Sequence, residues 1–396
     1  MKVIYLDGCA TTRVDDEVFE AMLPFLREEY GNPSSPHVLG KRARRAVDEA
    51  AASVAALMGA DAGEVVFTSG ATESNNLALL GVFGHDDRAP VNGLFCPTDH
   101  KSSLTIGKAL AERGVDVRAM RVGPDGRIDL DHLTGLLDLH TRVATAAWVN
   151  SEIGTVQPVP ELASLCHEVG ALLHVDGAQA AGRIPLRVRE AEVDTMAISG
   201  HKIRGPKGVG ALYVRPEIRH RLRPVMFGGG QYELRSGTIP AHLVVGLGKA
   251  CELALARLEA ERARAAELRA TALDMLRAGL PGVRVNGDPR HAGTTTVPHV
   301  LNVVLPGVRG ESLVSSLSSV ALATGSACNS GSQEPSHVLT AIGLSAEDAN
   351  SSVRICLDAR MPFEDLVLAL DLVVERARDL AGVVVAMGAQ APFSPS

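Results

Sequence analysis

The sequence predicts an α/β protein: a mostly parallel sheet covered by helices, followed by a smaller α+β C-terminal unit. Three observations carry this expectation. Short apolar, β-branched runs alternate with helix-length segments through the first two-thirds of the chain. One long helical stretch rich in alanine and charge then follows. Shorter units come after it. The 396 residues suit two domains, each with its own core.

The elements follow in order. A helix is expected from about Gly40 to Met58, where Val47, Val54 and Leu57 recur among alanines. Val65-Val66-Phe67-Thr68 reads as a strand, with a helix from about Glu73 to Leu80 behind it. Gly93 to Cys96 is the next strand, with a helix from about Ser102 to Arg113. Val143 to Val149 is another strand, and Glu161 to Val169 another helix. Leu172 to Asp176, Thr195 to Ser199 and Val209 to Val214 complete the strand series. From Pro240 to about Ala278 one helix is expected. Its middle, A-R-L-E-A-E-R-A-R-A-A-E-L-R, mixes charges of both signs and reads as a solvated connection laced with i,i+4 pairs. Val300 to Leu305 and Ser352 to Leu357 read as strands, with helices from about Glu311 and over Phe363 to Leu380. The tail G-A-Q-A-P-F-S-P-S reads as frayed. The expected division is a large domain over 12–258 and a small one over 259–396, completed by 1–11.

Composition removes several function classes. The 39 basic and 46 acidic residues give a net charge of −7, which argues against a dedicated nucleic-acid binder. Aromatics are 3%, too few for base-stacking platforms. No apolar run reaches the roughly 18 residues of a membrane span. The N-terminus M-K-V-I-Y-L-D-G lacks a signal-peptide h-region. The six cysteines, Cys9, Cys96, Cys166, Cys251, Cys328 and Cys356, are too scattered for a disulfide framework or a C-x-x-C metal site. The expectation is a cytoplasmic protein with reduced thiols, no metal, no membrane contact and no direct contact with nucleic acid.

Four segments carry chemistry: S-G-A-T-E-S (69–74), H-V-D-G-A-Q (174–179), S-G-H-K (199–202) and G-S-A-C (325–328). Lys202 follows a strand and sits among glycines, so a ligand can approach its amine closely. The amine can form a Schiff base if its surroundings lower its pKa. A surface lysine in a turn is the plain alternative, and Lys207 is a rival five residues on. Asp176 ends an apolar strand, where open α/β sheets bind ligands. An acid there can hold a protonated ring nitrogen, or simply cap the next turn. The loop S-G-A-T-E-S opens a helix and can cradle a phosphate, or serve as an ordinary cap. Cys328 lies in a run of small residues that cannot pack a core, which suits a mobile thiolate nucleophile or an incidental loop cysteine. The other cysteines read as buried structural thiols, except Cys9, whose D-G-C-A-T-T context is also a loop.

Taken together, these segments resemble the cysteine desulfurases, pyridoxal-phosphate enzymes of the class V aminotransferase family. The resemblance runs from Y-L-D-G-C-A-T-T (5–12) to S-S-V-R-I-C-L (351–357). It rests on F-T-S-G-A-T-E-S-N-N, H-V-D-G-A-Q, S-G-H-K-I-R-G-P-K-G-V-G-A-L-Y-V, F-G-G-G-Q, R-S-G-T-I-P and G-S-A-C-N-S, in that order. The G-S-A-C form is similar to the group with a long mobile cysteine loop. The implied fold is type I of the pyridoxal-phosphate enzymes, with a seven-stranded sheet in the large, cofactor-binding domain. By this resemblance Lys202 would carry pyridoxal 5'-phosphate as a Schiff base. Asp176 would pair with the pyridine nitrogen, and Gln179 would bond the phenolic oxygen. His100 would stack on the ring and shuttle protons. Ala71, Thr72, Ser199 and His201 would hold the phosphate, joined by Thr238 from the partner subunit of a homodimer. Arg354 would bind the substrate carboxylate, and Asn150 and Ser151 would face substrate or cofactor. Cys328 would take sulfur from L-cysteine as a persulfide, leaving L-alanine, and pass it to an acceptor protein.

Three departures from the family pattern stand out. Ser151 replaces the second asparagine of N-N-E-I-G, Gly8-Cys9 replaces an aromatic or polar pair, and Asp358 replaces a glycine. The implied alternatives are a selenocysteine lyase, another class V enzyme, or a scaffold without turnover. Lys202, Asp176, His100 and Cys328 argue against the scaffold. The acceptor could serve iron–sulfur assembly, tRNA thiolation, DNA phosphorothioation or natural-product sulfur transfer, and the sequence does not choose among them.

Overall fold

The computed structural model describes residues 3–84, 91–288, 294–324 and 334–388. In chain order the elements are β1 (Ile4–Tyr5), α1 (Asp16–Arg27), α2 (Val38–Met58), β2 (Val65–Thr68), α3 (Ala71–Phe83), β3 (Asn92–Phe95), α4 (Lys101–Glu112) and β4 (Asp116–Ala119). Then come α5 (Leu130–Leu136), β5 (Thr141–Ala147), α6 (Val159–Glu168), β6 (Leu172–Asp176), β7 (Thr195–Ser199), β8 (Gly210–Val214) and α7 (Ala241–Gly279). The rest is β9 (Arg284–Val285), β10 (Val300–Val304), α8 (Gly310–Ser316), β11 (Val320–Ala321), α9 (His337–Ala341), α10 (Ala346–Asn350), β12 (Ser352–Cys356) and α11 (Phe363–Gly388).

Seven strands form one sheet in the order β2-β8-β7-β6-β5-β3-β4. All neighbours pair in parallel except those of β8, which is antiparallel to both β7 and β2. Strands β2, β3, β6, β7 and β8 are buried along their whole length, as a sheet covered on both faces requires. On one face α3 and α4 pack Leu77, Leu79, Phe83, Ile106 and Leu110. On the other, α2, α6 and the first half of α7 pack Val47, Val54, Leu162, Val244 and Leu247. Edge strand β4 carries Asp116 and Arg118, charges that discourage further pairing.

A second core gathers Leu268, Ala272 and Leu276 from the far half of α7 with Leu301, Val303, Val353, Ile355 and Leu370. Ile4 and Leu6 from the chain's start join it. There β10 pairs antiparallel with β9 and β12, while β1 pairs parallel with β11. Helix α7 thus enters both cores. Its charged middle does more than solvate a connection. Glu261 pairs with Arg204 and Arg360, and Arg257 with Asp15. The pairs along the helix itself run at i,i+3.

The expected elements are present, with shifted ends. The strand read as Val143 to Val149 runs Thr141–Ala147, and Val149 instead bridges to Val156 in the following turn. The helix read from Glu73 begins at Ala71, directly after Gly70. Helix α1 was not apparent in the sequence, because Pro24 interrupts its pattern. It is held instead by Val18, Met22 and Phe25 against the core.

Candidate active site

Strands β2, β6 and β7 run the same way, so their carboxyl ends meet at one edge of the sheet. There Thr68 and Ser199 both pair with Gly210. A Cβ at Gly210 would lie 2.6 Å from Gly70 Cα and 2.4 Å from the Ile198 carbonyl oxygen. Only glycine lets β8 pass so close, and its place brings the start of α3 against the end of β7. A cavity of ≈ 610 Å³ opens at this edge. Of the residues singled out from the sequence, Lys202, Asp176, His100, Ala71, Thr72, Ser151, Gln179, Ser199, His201 and Arg354 line it. Cys328 lies outside the described residues.

Lys202 Nζ donates to the carbonyls of Cys9 at 2.6 Å and Ala10 at 2.8 Å. Burial pushes its ammonium below the usual lysine range; the Cys9 thiol opposes that shift, while Arg183 and Arg354 add to it. An amine shifted down is more readily a nucleophile. Lys207 also lines the cavity but is exposed.

Asp176 is buried at the end of β6. Its Oδ1 accepts from the Ala178 amide at 3.0 Å, and its Oδ2 from Asn75 Nδ2 at 2.9 Å. His100 caps α4: its Nδ1 accepts from the Ser102 amide at 3.1 Å and sits 2.8 Å from Ser102 Oγ. Beneath it Asp99 is buried, and burial raises its carboxyl well above the usual range. His201 Nδ1 is 3.1 Å from Thr11 Oγ1. Burial, then the charges of Lys202 and Lys207, lower its pKa to about 4, so the ring is neutral. The free amides at the start of α3 complete a cradle suited to an anion.

Arg354 rises from β12. Its Nη2 pairs with Asp7 Oδ1 at 2.7 Å, and its Nη1 donates to the Ser151 carbonyl at 3.1 Å. Position 151 therefore meets Arg354 through its backbone, a contact that serine in place of asparagine leaves intact. Gln179 donates from Nε2 to the Cys9 carbonyl at 2.8 Å and accepts from Arg183 at Oε1. Cys9 is buried. Its thiol hydrogen-bonds Cys356 and lies 3.5 Å from Arg183 Nη1. The Cys356 bond and the arginine charges pull it well below the usual thiol range, while burial raises Cys356.

The structure places Asn150 apart from the residues that line the cavity. It is buried and does not face the cavity. Its Nδ2 donates to the Thr98 carbonyl at 2.8 Å, and its Oδ1 accepts from the amides of Glu152 at 2.8 Å and Ile153 at 3.0 Å. It ties down the turn that presents Ser151. Thr238 is exposed and does not line the cavity of its own chain. It follows Arg235, which pairs with Glu73 in the first turn of α3 at 2.8 Å. Asn75, Ser102 and Asp7 were not singled out from the sequence. Asn75 and Asp7 lie inside quoted motifs, but nothing local marks their partners.

Comparison with known proteins agrees with this geometry. The profile of the Aminotransferase class-V family matches residues 4–368. A cysteine desulfurase IscS of Neisseria meningitidis is 42% identical over 375 residues, covering 93% of this chain and 91% of the relative. Among solved structures, a NifS-like protein superposes with a TM-score of 0.87 at 33% identity, covering 94% of this chain and 98% of the other. SspA, solved in complex with cysteine, superposes with a TM-score of 0.79 at 32% identity, covering 90% and 99%. The cavity fits pyridoxal 5'-phosphate, the cofactor of this family: an amide-lined anion cradle, a buried acid at a strand end and a partly desolvated lysine converge on it. The chain belongs to the class V aminotransferase family, and within it to the cysteine desulfurases.

Proposed function

We propose that this protein removes sulfur from L-cysteine, releases L-alanine and hands the sulfur on from a Cys328 persulfide. The observation that carries the reading is one cavity shared by Lys202, Asp176, His100 and Arg354, which come from four separate segments. When bound, pyridoxal 5'-phosphate would supply an electron sink for the amino-bearing carbon, next to the carbon from which sulfur departs. Lys202 would hold it covalently, and Asp176 would keep a proton on its ring nitrogen. Gln179 would bond its phenolic oxygen, and His100 would stack on the ring. Ala71, Thr72, Ser199 and His201 hold its phosphate, with Thr238 of the partner subunit completing the set in a homodimer. Arg354 binds the substrate carboxylate beside Ser151. The Cys328 thiolate attacks the sulfur of L-cysteine; the carbon–sulfur bond breaks with its electron pair left on carbon, and that carbon takes up a proton to give L-alanine. An acceptor thiolate then takes the outer sulfur by exchange and returns Cys328 as a thiolate.

The working protein is a cytoplasmic homodimer of large (12–258) and small (259–396, with 1–11) domains, and iron–sulfur assembly is one pathway its acceptor could serve. Among the described residues no helix is long and apolar enough to cross a membrane. The test is to add L-cysteine to protein loaded with the cofactor. The visible absorbance should shift, and alanine should form with an equal amount of transferable sulfur. An unchanged spectrum, or pyruvate and ammonia in place of alanine, would refute the reading.

A further inference from the structure

Asn75 lies on α3, is completely buried, and has no role in the reading above. Its side chain touches three groups. Nδ2 donates to Asp176 Oδ2 and to Ser102 Oγ, each at 2.9 Å, and Oδ1 lies 3.0 Å from His174 Nε2. His174 Nδ1 is in turn 2.8 Å from Thr195 Oγ1. Ser102 Oγ is 2.8 Å from His100 Nδ1, and the Ser102 amide donates to the same nitrogen at 3.1 Å. One continuous network therefore runs from β7 through β6 and α3 to the first turn of α4. Apart from His100, every member is at most 7% exposed, so water does not compete for these bonds.

The place of each proton follows from what each atom can do. A carboxylate only accepts, so Asn75 turns its NH₂ toward Asp176. Its Oδ1 then faces His174, whose Nε2 must carry hydrogen. Burial lowers the His174 pKa to about 4, so that ring is neutral and its Nδ1 accepts from the Thr195 hydroxyl. The second Asn75 N–H occupies one lone pair of Ser102 Oγ; the Ser102 amide can only donate to His100 Nδ1, so that nitrogen is an acceptor and the serine hydroxyl donates to it as well. That nitrogen then accepts from two donors and holds no proton. The neutral His100 ring carries its hydrogen on Nε2.

We propose that Asn75 and Ser102 are positioning residues: through one amide they orient the Asp176 carboxylate and hold His100 in its Nε2–H tautomer. His100 then meets the site as a hydrogen-bond donor. The inference rests on the reading of Asp176 and His100 as cofactor-facing groups, and it adds the two residues that align them.

The decisive experiment is nitrogen-15 NMR of full-length, histidine-labelled protein without cofactor at neutral pH, with His100→Gln used to assign the His100 signals. The expected pattern has a proton-bearing Nε2 and a bare Nδ1. Ser102→Ala removes the hydroxyl donor and keeps the backbone amide, so the two nitrogens should move part of the way toward an average of both tautomers. In the loaded enzyme, Asn75→Leu and Ser102→Ala should each lower kcat for alanine formation by about tenfold or more, with KM for L-cysteine within about twofold, since Arg354 is untouched. A proton on Nδ1 in the parent protein, or full kcat in both variants, would overturn the proposal. The spectrum needs neither cofactor nor turnover. A parent protein with the expected tautomer but no alanine formation would refute the desulfurase reading and still support the tautomer assignment.

Discussion

Asp7 and Arg354 lie 347 positions apart, yet their side chains pair at 2.7 Å beside the cavity. The guanidinium proposed to receive the substrate carboxylate is thus already partly neutralised. Asp7→Asn keeps an acceptor and removes the competing charge, so KM for L-cysteine should fall by about threefold. Arg354→Lys loses the two-pronged fork, and KM should rise by about tenfold or more. Steady-state kinetics at fixed pH decide both; a KM unmoved by Arg354→Lys would remove that residue from substrate binding.

Lys202 and Lys207 both reach the cavity, but Lys202 is half-buried and Lys207 is exposed. Lys202→Ala should abolish the visible absorbance of the lysine-linked cofactor and cut alanine formation at least about a thousandfold. Lys207→Ala should keep the absorbance. The reverse result would show the assignment to be wrong.

Cys328→Ser should separate cofactor chemistry from sulfur transfer. Lys202, Asp176 and His100 are untouched, so the variant should still bind pyridoxal 5'-phosphate and change colour with L-cysteine. A serine hydroxyl is a far poorer nucleophile toward sulfur than a thiolate, so no persulfide and no appreciable alanine should form. Mass spectrometry of the protein after L-cysteine gives the answer. A persulfide on Cys9 or Cys356 would place the acceptor thiol elsewhere.

Thr238 should act across a subunit boundary. Mixed dimers of Lys202→Ala and Thr238→Val chains should regain one site of native composition and more activity than either parent dimer. Failure to regain activity, with mixed dimers confirmed by native mass spectrometry, would place Thr238 in its own chain's site.

Glu152 should make stability pH-dependent. It is buried, accepts from Ser336 Oγ at 2.5 Å, and burial raises its pKa from 4.5 to about 7. The folded state therefore holds this proton where the unfolded chain has lost it. The resulting stability is full below the unfolded value and is lost as pH rises from about 4.5 to about 7. The slope should be at most about 1.4 kcal/mol per pH unit. Glu152→Gln should flatten that part of the curve in denaturant titrations; an unchanged slope would assign it to another group.

Much of this architecture was legible in the sequence. Strands such as Leu172–Asp176 and Thr195–Ser199 are continuous apolar runs, because helices cover both faces of the sheet. Lys202, Asp176 and the loop before α3 stood out because a strand end followed by glycine or small residues is a local signal. The less visible features arise between segments. Asn150 belongs to a familiar motif, but its amide turns inward because the backbone of the 150–154 turn needs its oxygen. The charges in the middle of α7 looked solvated, yet folding sets Glu261 between Arg204 and Arg360.

What the sequence determined by itself was periodicity and local chemistry: which runs become strands, which loops can approach a ligand, and which side chains can act as base, anchor or nucleophile. Only the tertiary structure decided the pairings. Asp7 meets Arg354 because the N-terminal segment lies along β12, where the Cys356 amide donates to the Leu6 carbonyl at 2.8 Å. Asn75 meets Asp176 because α3 packs against β6, which brings together residues 101 positions apart. Periodicity is a property of neighbours along the chain. Burial, and with it the strength of a hydrogen bond or the pKa of a carboxyl, depends on segments that only packing brings together.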